Sequence, residues 1–196
     1  MKKFMVLIAL VLVCIFALAA CAPKASEPAP EPTPTPEATP APEETGLPNP
    51  FVEVASYEEL IAACPDIAIS DAPEGSSQAK YSYCKSAEAV DFAQIDFSFG
   101  GDSYQYRAKA SAAEPAADDT LHGYFYDFTN DETIEQQGHL SYRLRTAEGE
   151  SAASTIGVAT WYNPALQCQY SLTTQTSQDA ATVINGVAPL LTQTDF

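Results

Sequence analysis

Ala93-Gln94-Ile95-Asp96-Phe97-Ser98-Phe99-Gly100-Gly101-Asp102-Ser103-Tyr104-Gln105-Tyr106-Arg107 is the stretch whose reading decides the fold. Side chains of an extended strand alternate between two faces, so Ala93, Ile95, Phe97 and Phe99 share one face and Gln94, Asp96 and Ser98 the other. Gly100-Gly101 supplies the two positive-φ residues of a tight hairpin turn. With those glycines at the centre of the turn, Phe97 falls opposite Tyr104, Ile95 opposite Tyr106 and Gln94 opposite Arg107. That register puts apolar against apolar and polar against polar, which predicts an antiparallel hairpin with one buried face.

Working outward, the same period of two predicts further strands. They lie at 123–128 (Tyr124, Tyr126, Phe128), 139–146 (Leu140, Tyr142, Leu144), 154–162 and 166–174, with Asn163-Pro164 turning between the last two. Two helices flank them. Ser56-Tyr57-Glu58-Glu59 is a capping box, with Ala55 and Leu60 placed for a hydrophobic staple, and Pro65 ends that helix by Cys64. Thr176 and Asp179 have the spacing of a second capping box before Ala180, Val183, Ile184 and Val187, an amphipathic stripe expected to stop between Asn185-Gly186 and Pro189. The predicted fold is α+β: an antiparallel meander sheet with one face covered by an N-terminal and a C-terminal helix.

Upstream of this 51–196 domain the composition changes twice. Residues 23–50 hold ten prolines among Glu, Thr and Ala and no aromatic before Phe51. Proline fixes φ and removes a donor, so this segment is expected to be a stiff tether, reaching up to roughly 85 Å at about 3.1 Å per residue. Residues 1–20 have the make-up of a secretory signal: Lys2 and Lys3, then a charge-free apolar run of about 17 residues ending in Leu18-Ala19-Ala20-Cys21. That run is short for a span of about 20 residues. The small-residue box before Cys21 is similar to a bacterial lipoprotein cleavage site, which implies that Cys21 is lipidated and becomes the first residue of the mature chain. Two acyl chains would anchor it far more firmly than the single chain that binds reversibly.

The chain carries 26 acidic and 9 basic residues, a net charge of −17, and loss of Lys2 and Lys3 with the signal takes it to −19. Such a surface argues against nucleic acid, which requires clustered Lys and Arg. All six basic residues of the domain lie between 80 and 145. Of these, Arg107, Lys109, Arg143 and Arg145 alternate with apolar residues and are expected on the uncovered face of the sheet. There they form either a basic stripe for an anionic wall polymer or peptide carboxylate, or cross-strand pairs with Asp96 and other acids. Tyr124, Tyr126, Tyr142, Trp161 and Tyr162 offer the same choice between a ligand groove and packing.

Other chemistry finds little support. Asp127-Phe128-Thr129-Asn130-Asp131-Glu132 places oxygens like a calcium loop but has Glu132 where the loop needs glycine and Gly138 where it needs a bidentate glutamate; a turn between strands is the plainer reading. His122 and His139 sit in neither a zinc spacing nor a hydrolase motif, so no metal or cofactor is implied. With Cys14 removed and Cys21 lipidated, Cys64, Cys84 and Cys168 remain. A Cys64–Cys84 bridge would close a loop of about twenty residues worth roughly 3 kcal/mol, and Cys168 reads as a small core residue.

Asn49-Pro50-Phe51-Val52-Glu53-Val54-Ala55-Ser56, Tyr124-Phe125-Tyr126-Asp127-Phe128-Thr129, Ala159-Thr160-Trp161 and Tyr170-Ser171-Leu172 together resemble Gram-positive bacterial surface lipoproteins with a C-terminal domain of unknown function. The resemblance spans most of residues 49–191 and departs at Cys64, where such proteins carry glycine, and at Cys84. It implies an α+β lipoprotein domain and transfers no catalytic residue. The expected function is a membrane-anchored, extracytoplasmic and non-enzymatic binding module, its partner a wall, peptide or protein component of the envelope. A carrier or sensor of an apolar ligand held between sheet and helices is the alternative, and an envelope hydrolase the third reading.

Overall fold

Phe97 stands opposite Tyr104, Ile95 opposite Tyr106 and Gln94 opposite Arg107, as the sequence predicts. Gly100 and Gly101 have φ of 62° and 97°, the left-handed pair a two-residue hairpin turn demands. The structure is a computed structural model that describes residues 49–192 except 87–88, 117–118, 150 and 152. The signal, the Leu18–Cys21 box and the tether as far as residue 48 lie outside the described residues.

The elements run β1 Phe51–Val54, α1 Tyr57–Ala63, β2 Ser77–Ser86, β3 Ala89–Phe99, β4 Asp102–Ala110, β5 Asn130–Ile134, β6 Tyr142–Glu148, β7 Thr155–Asn163, β8 Cys168–Thr176 and α2 Ala180–Leu191. All eight strands form one antiparallel sheet in the order β1-β2-β3-β4-β8-β7-β6-β5. The fold class is α+β. The sheet, however, is not a single meander: two four-stranded meanders meet where β4 pairs with β8. The segment between β4 and β5 therefore crosses three intervening strands, about 19 Å at roughly 4.8 Å per strand spacing, which its length easily spans.

Two strands differ from expectation. Tyr124, Tyr126 and Phe128 alternate but belong to no strand, and the Asp127–Glu132 segment read as a turn runs into β5 from Asn130 on. β1 and β2 are strands the sequence reading does not single out.

One lateral row, Val54–Tyr81–Ile95–Tyr106–Leu172–Ala159–Leu144–Glu132, crosses every strand and identifies the core face. Ile95, Tyr106, Leu172, Ala159 and Leu144 in it are fully buried, each large side chain stabilising the fold by about 1.5–3 kcal/mol. Tyr106, Trp161 and Tyr170 stack with centroids 5.3–6.1 Å apart. Trp161, Tyr142 and Cys168 thus belong to the core.

α1 is capped as predicted: Ser56 Oγ accepts from Glu59 N–H at 3.3 Å, and Glu59 Oε2 accepts from Ala55 N–H at 2.9 Å. Ala55 itself is exposed while Leu60 is buried. After α1, the segment carrying Ile67 and Ile69 lies against the core, tied by Tyr170 Oη donating to Ala68 O and Tyr57 Oη to Ile69 O, both at 2.8 Å. α2 packs on β6, β7 and β8. The expected Thr176–Asp179 capping box does not form: Thr176 ends β8 with its hydroxyl on Asp102, and the cap is Asp179 itself, whose carboxylate accepts from Thr182 N–H at 3.0 Å. The helix does not stop at Asn185-Gly186 but continues through Pro189 to Leu191, because Val187, Ala188 and Leu191 are buried and only the last turn must do without a proline N–H. Among the described residues no helix is long and apolar enough to cross a membrane.

Candidate functional site

The opposite face of the sheet carries its own row, Glu53–Ser82–Gln94–Arg107–Ser171–Thr160–Arg143–Thr133. Arg145 lies one row up, between Val158 and Asp131, and Lys109 one row down, beside Gln169. The four predicted cations therefore share the face the alternation assigns them. They do not form one stripe. Arg107 and Arg143 are three strand spacings apart, about 14 Å, and this face is not uncovered: the connection after β4 crosses it as a flap that touches Arg107, Gln169, Tyr162 and Arg145, and Ile156 and Val158 on the same face are fully buried.

Arg107 holds the flap. Its Nε donates to Gln94 Oε1 at 2.8 Å, its Nη1 donates to Leu121 O at 2.9 Å, and the guanidinium lies 4.8 Å above the ring of Phe92. Gly123 makes this approach possible: its φ is 75°, and a Cβ there would stand 2.5 Å from Arg107 Nη1. Asp119 Oδ1 accepts from Gln169 Nε2 at 2.7 Å and from Leu121 N–H at 2.8 Å, and Tyr162 Oη donates to Ser111 O at 3.2 Å. His122, itself part of the flap, is buried, its Nδ1 accepting from Tyr124 N–H at 3.0 Å and its ring edge-on to Phe128 at 5.8 Å. Burial, with the charge of Arg145 second, holds its pKa down at about 4, so the ring is neutral.

The arginines of β6 have different fates. Arg143 pairs with Asp131 on β5 through both Nε and Nη2, which lowers the aspartate's pKa and raises its own. Arg145, only 7 % exposed, lies 4.6 Å under the ring of Phe128, and its Nε reaches no acceptor among the described residues. Lys109 is exposed at the rim.

A half-open groove of about 570 Å³ runs beside the flap over β6, β7 and β8. Arg143, Arg145, Thr160 and Tyr162 line it from the sheet, Glu114, Pro115, Asp119 and Leu121 from the flap side, and Leu140 and Pro164 from neighbouring turns. A second groove of about 490 Å³ lies over β3, β4 and β8, with Lys80, Asp96, Gln105 and Tyr124 among its walls. Tyr124 and Tyr126 stack at 5.7 Å, and Phe125 between them is 84 % exposed.

The predicted aromatic set is thus divided: Tyr142 and Trp161 are core residues that also reach the first groove, Tyr162 lines it, and Tyr124 and Tyr126 belong to the flap. Cys64 and Cys84 are buried free thiols rather than a bridge, since Cys64 joins the core while Cys84, paired with Phe92, points to the other face of the sheet. Asp119 and Leu121 were missed by the sequence reading; the one local signal for them is Gly123, a glycine that interrupts an otherwise strand-like pattern. Among the described residues no group of His, Cys, Asp and Glu is arranged to hold a metal ion. Compared with protein-family profiles, curated proteins and solved structures, the chain matches none.

Proposed function

We propose that the chain is a membrane-tethered, extracytoplasmic binding lipoprotein, not an enzyme, that takes an envelope ligand or partner in the groove beside its flap. The observation that carries this reading is the groove itself, about 570 Å³ with a buried guanidinium at its sheet side and apolar residues in its walls, the combination expected of a site that orients a ligand by a few polar groups. The address rests on the sequence: the signal-like segment, the Leu18-Ala19-Ala20-Cys21 box, the proline-rich tether and the resemblance to Gram-positive surface lipoproteins.

Two facts favour binding over the alternatives. The interface between sheet and α2 is filled by Ile184, Val187, Ala188 and Leu191, each no more than 3 % exposed, which leaves little room there for an apolar cargo. His122, the buried histidine beside the groove, already accepts from Tyr124 N–H through Nδ1, so it is occupied in a structural role rather than as a general base.

A photo-crosslinking amino acid placed at Tyr162 of the full-length lipoprotein, irradiated in intact cells and read by mass spectrometry, tests the reading. Discrete envelope adducts at Tyr162 and none at the exposed Glu58 are expected. Membrane lipid alone, or the same adducts at both positions, would sink it.

A further inference from the structure

Resting on that binding reading, we infer that the groove takes a short peptide with a free terminal carboxylate, and that Arg145 is the residue that holds the carboxylate. Arg145 is 7 % exposed, yet its Nε meets no acceptor among the described residues and its packing partner is the ring of Phe128. A buried charged donor without an acceptor is costly, and the guanidinium cannot relieve that cost by losing its proton. Asp131 stands opposite Arg145 and, with Asp119, attracts its charge, but Asp131 accepts its hydrogen bonds from Arg143, two residues away, and Arg145 Nε is left without an acceptor. The planar fork matches a carboxylate through two parallel hydrogen bonds, so a ligand carboxylate in the groove supplies what the fold withholds.

The other walls select the rest of the ligand. Asp119 and Glu114 line the same groove, while the charge of Arg143 is balanced by Asp131. One guanidinium, already attracted by Asp119, therefore shares the groove with two carboxylates, and a phosphate dianion or a polyanionic polymer would be repelled more strongly than a single carboxylate. A molecule with one carboxylate and several N–H donors satisfies both ends, its acid on Arg145 and its amides or ammonium toward Asp119 and Glu114. Pro115, Leu121, Leu140 and Tyr162 offer apolar surface to side chains between the two ends. The volume, about 570 Å³, lies within the range of sites that enclose small ligands.

The test is affinity selection on the full-length lipoprotein in detergent, using a mixed tripeptide pool with free C-terminal carboxyls and the same pool amidated. The expected result is retention of acid-form peptides at least tenfold above their amides. In the Arg145→Gln chain that preference should disappear, and in Arg145→Lys it should be partly kept. The acid-to-amide ratio is read on the unaltered chain, so the inference stays falsifiable if a variant does not fold. Equal retention of both pools would overturn the carboxylate assignment while leaving a peptide-binding groove. Retention of neither pool overturns the inference outright; if the Tyr162 crosslinker still captures a discrete envelope molecule, the broader binding reading survives, and if it captures none, both fall.

Discussion

His122 couples the flap to pH. Its imidazole is buried against Phe128, with Asp119, Arg107 and Arg145 as the charged groups around it, and its pKa of about 4 lies below the ordinary 6.5 because burial, and then Arg145, disfavour the imidazolium. The sign follows from linkage: the unfolded chain binds a proton near pH 6.5 that the folded chain refuses until about pH 4, so stability is full above 6.5 and is lost as pH falls between those values. The shift corresponds to up to about 3 kcal/mol. In urea titrations, the midpoint of the intact chain should fall steadily from pH 6.5 to pH 4. His122→Gln, which keeps an acceptor for Tyr124 N–H but cannot titrate, should lose most of that slope while the carboxylates keep theirs. Parallel slopes in the two chains would show that His122 does not titrate out of register with the unfolded state.

At the scale of elements, α2 is held to β7 through a contact that only glycine permits. A Cβ on Gly157 would meet Ile184 Cγ1 at 2.7 Å and Ala180 O at 3.0 Å, so Gly157→Ala must lift the helix from the sheet and should lower stability by about 1–3 kcal/mol. Gly186, in the same helix but facing open space and without a left-handed φ, has the opposite character: Gly186→Ala should raise stability by about 0.5–1 kcal/mol by reducing the freedom of the unfolded chain. Thermal melts of both variants check the pair, and a loss at Gly186 or a gain at Gly157 would contradict the packing described. These contacts also show where sequence reasoning stops. The β3–β4 hairpin was legible because its two glycines and its alternation agree, and α2 because its apolar stripe repeats at helical spacing, although its cap is Asp179 and not the Thr176 of the expected box. The segment at 124–128 was misread because aromatic alternation looks the same whether the chain pairs as a strand or crosses a sheet, and Gly123, with φ of 75° against Arg107, decides for crossing. The shared face of Arg107, Lys109, Arg143 and Arg145 followed from parity alone. Which of them is left with a guanidinium nitrogen lacking an acceptor did not, because Asp131 reaches Arg143 from a strand whose polar sequence, Asn130–Ile134, carries no strand signal, and because strand order depends on long-range pairing of β4 with β8.

For the whole molecule, the cysteines tie the proposed anchor to the observed fold in one countable quantity. The chain has five. On the proposed reading, removal of the signal would take Cys14 and diacylglyceryl transfer would convert the Cys21 thiol to a thioether, while Cys64, Cys84 and Cys168 are buried and unbridged. Burial pushes the Cys64 thiol up to about 11 and raises that of Cys84, where Asp91 adds to the effect and Arg107 opposes it. Since the thiolate is the reacting species, neither should be modified readily while the chain is folded. A thiol-specific reagent applied to lipoprotein purified from the membrane fraction should therefore report almost none in native buffer and three per chain in denaturant, with or without prior reduction. A value of four in denaturant would mean that Cys21 is unmodified and the lipid anchor wrong. A value of one that rises to three on reduction would mean that two of the core cysteines pair, which the sheet separating Cys64 from Cys84 forbids for those two without rearrangement of β2.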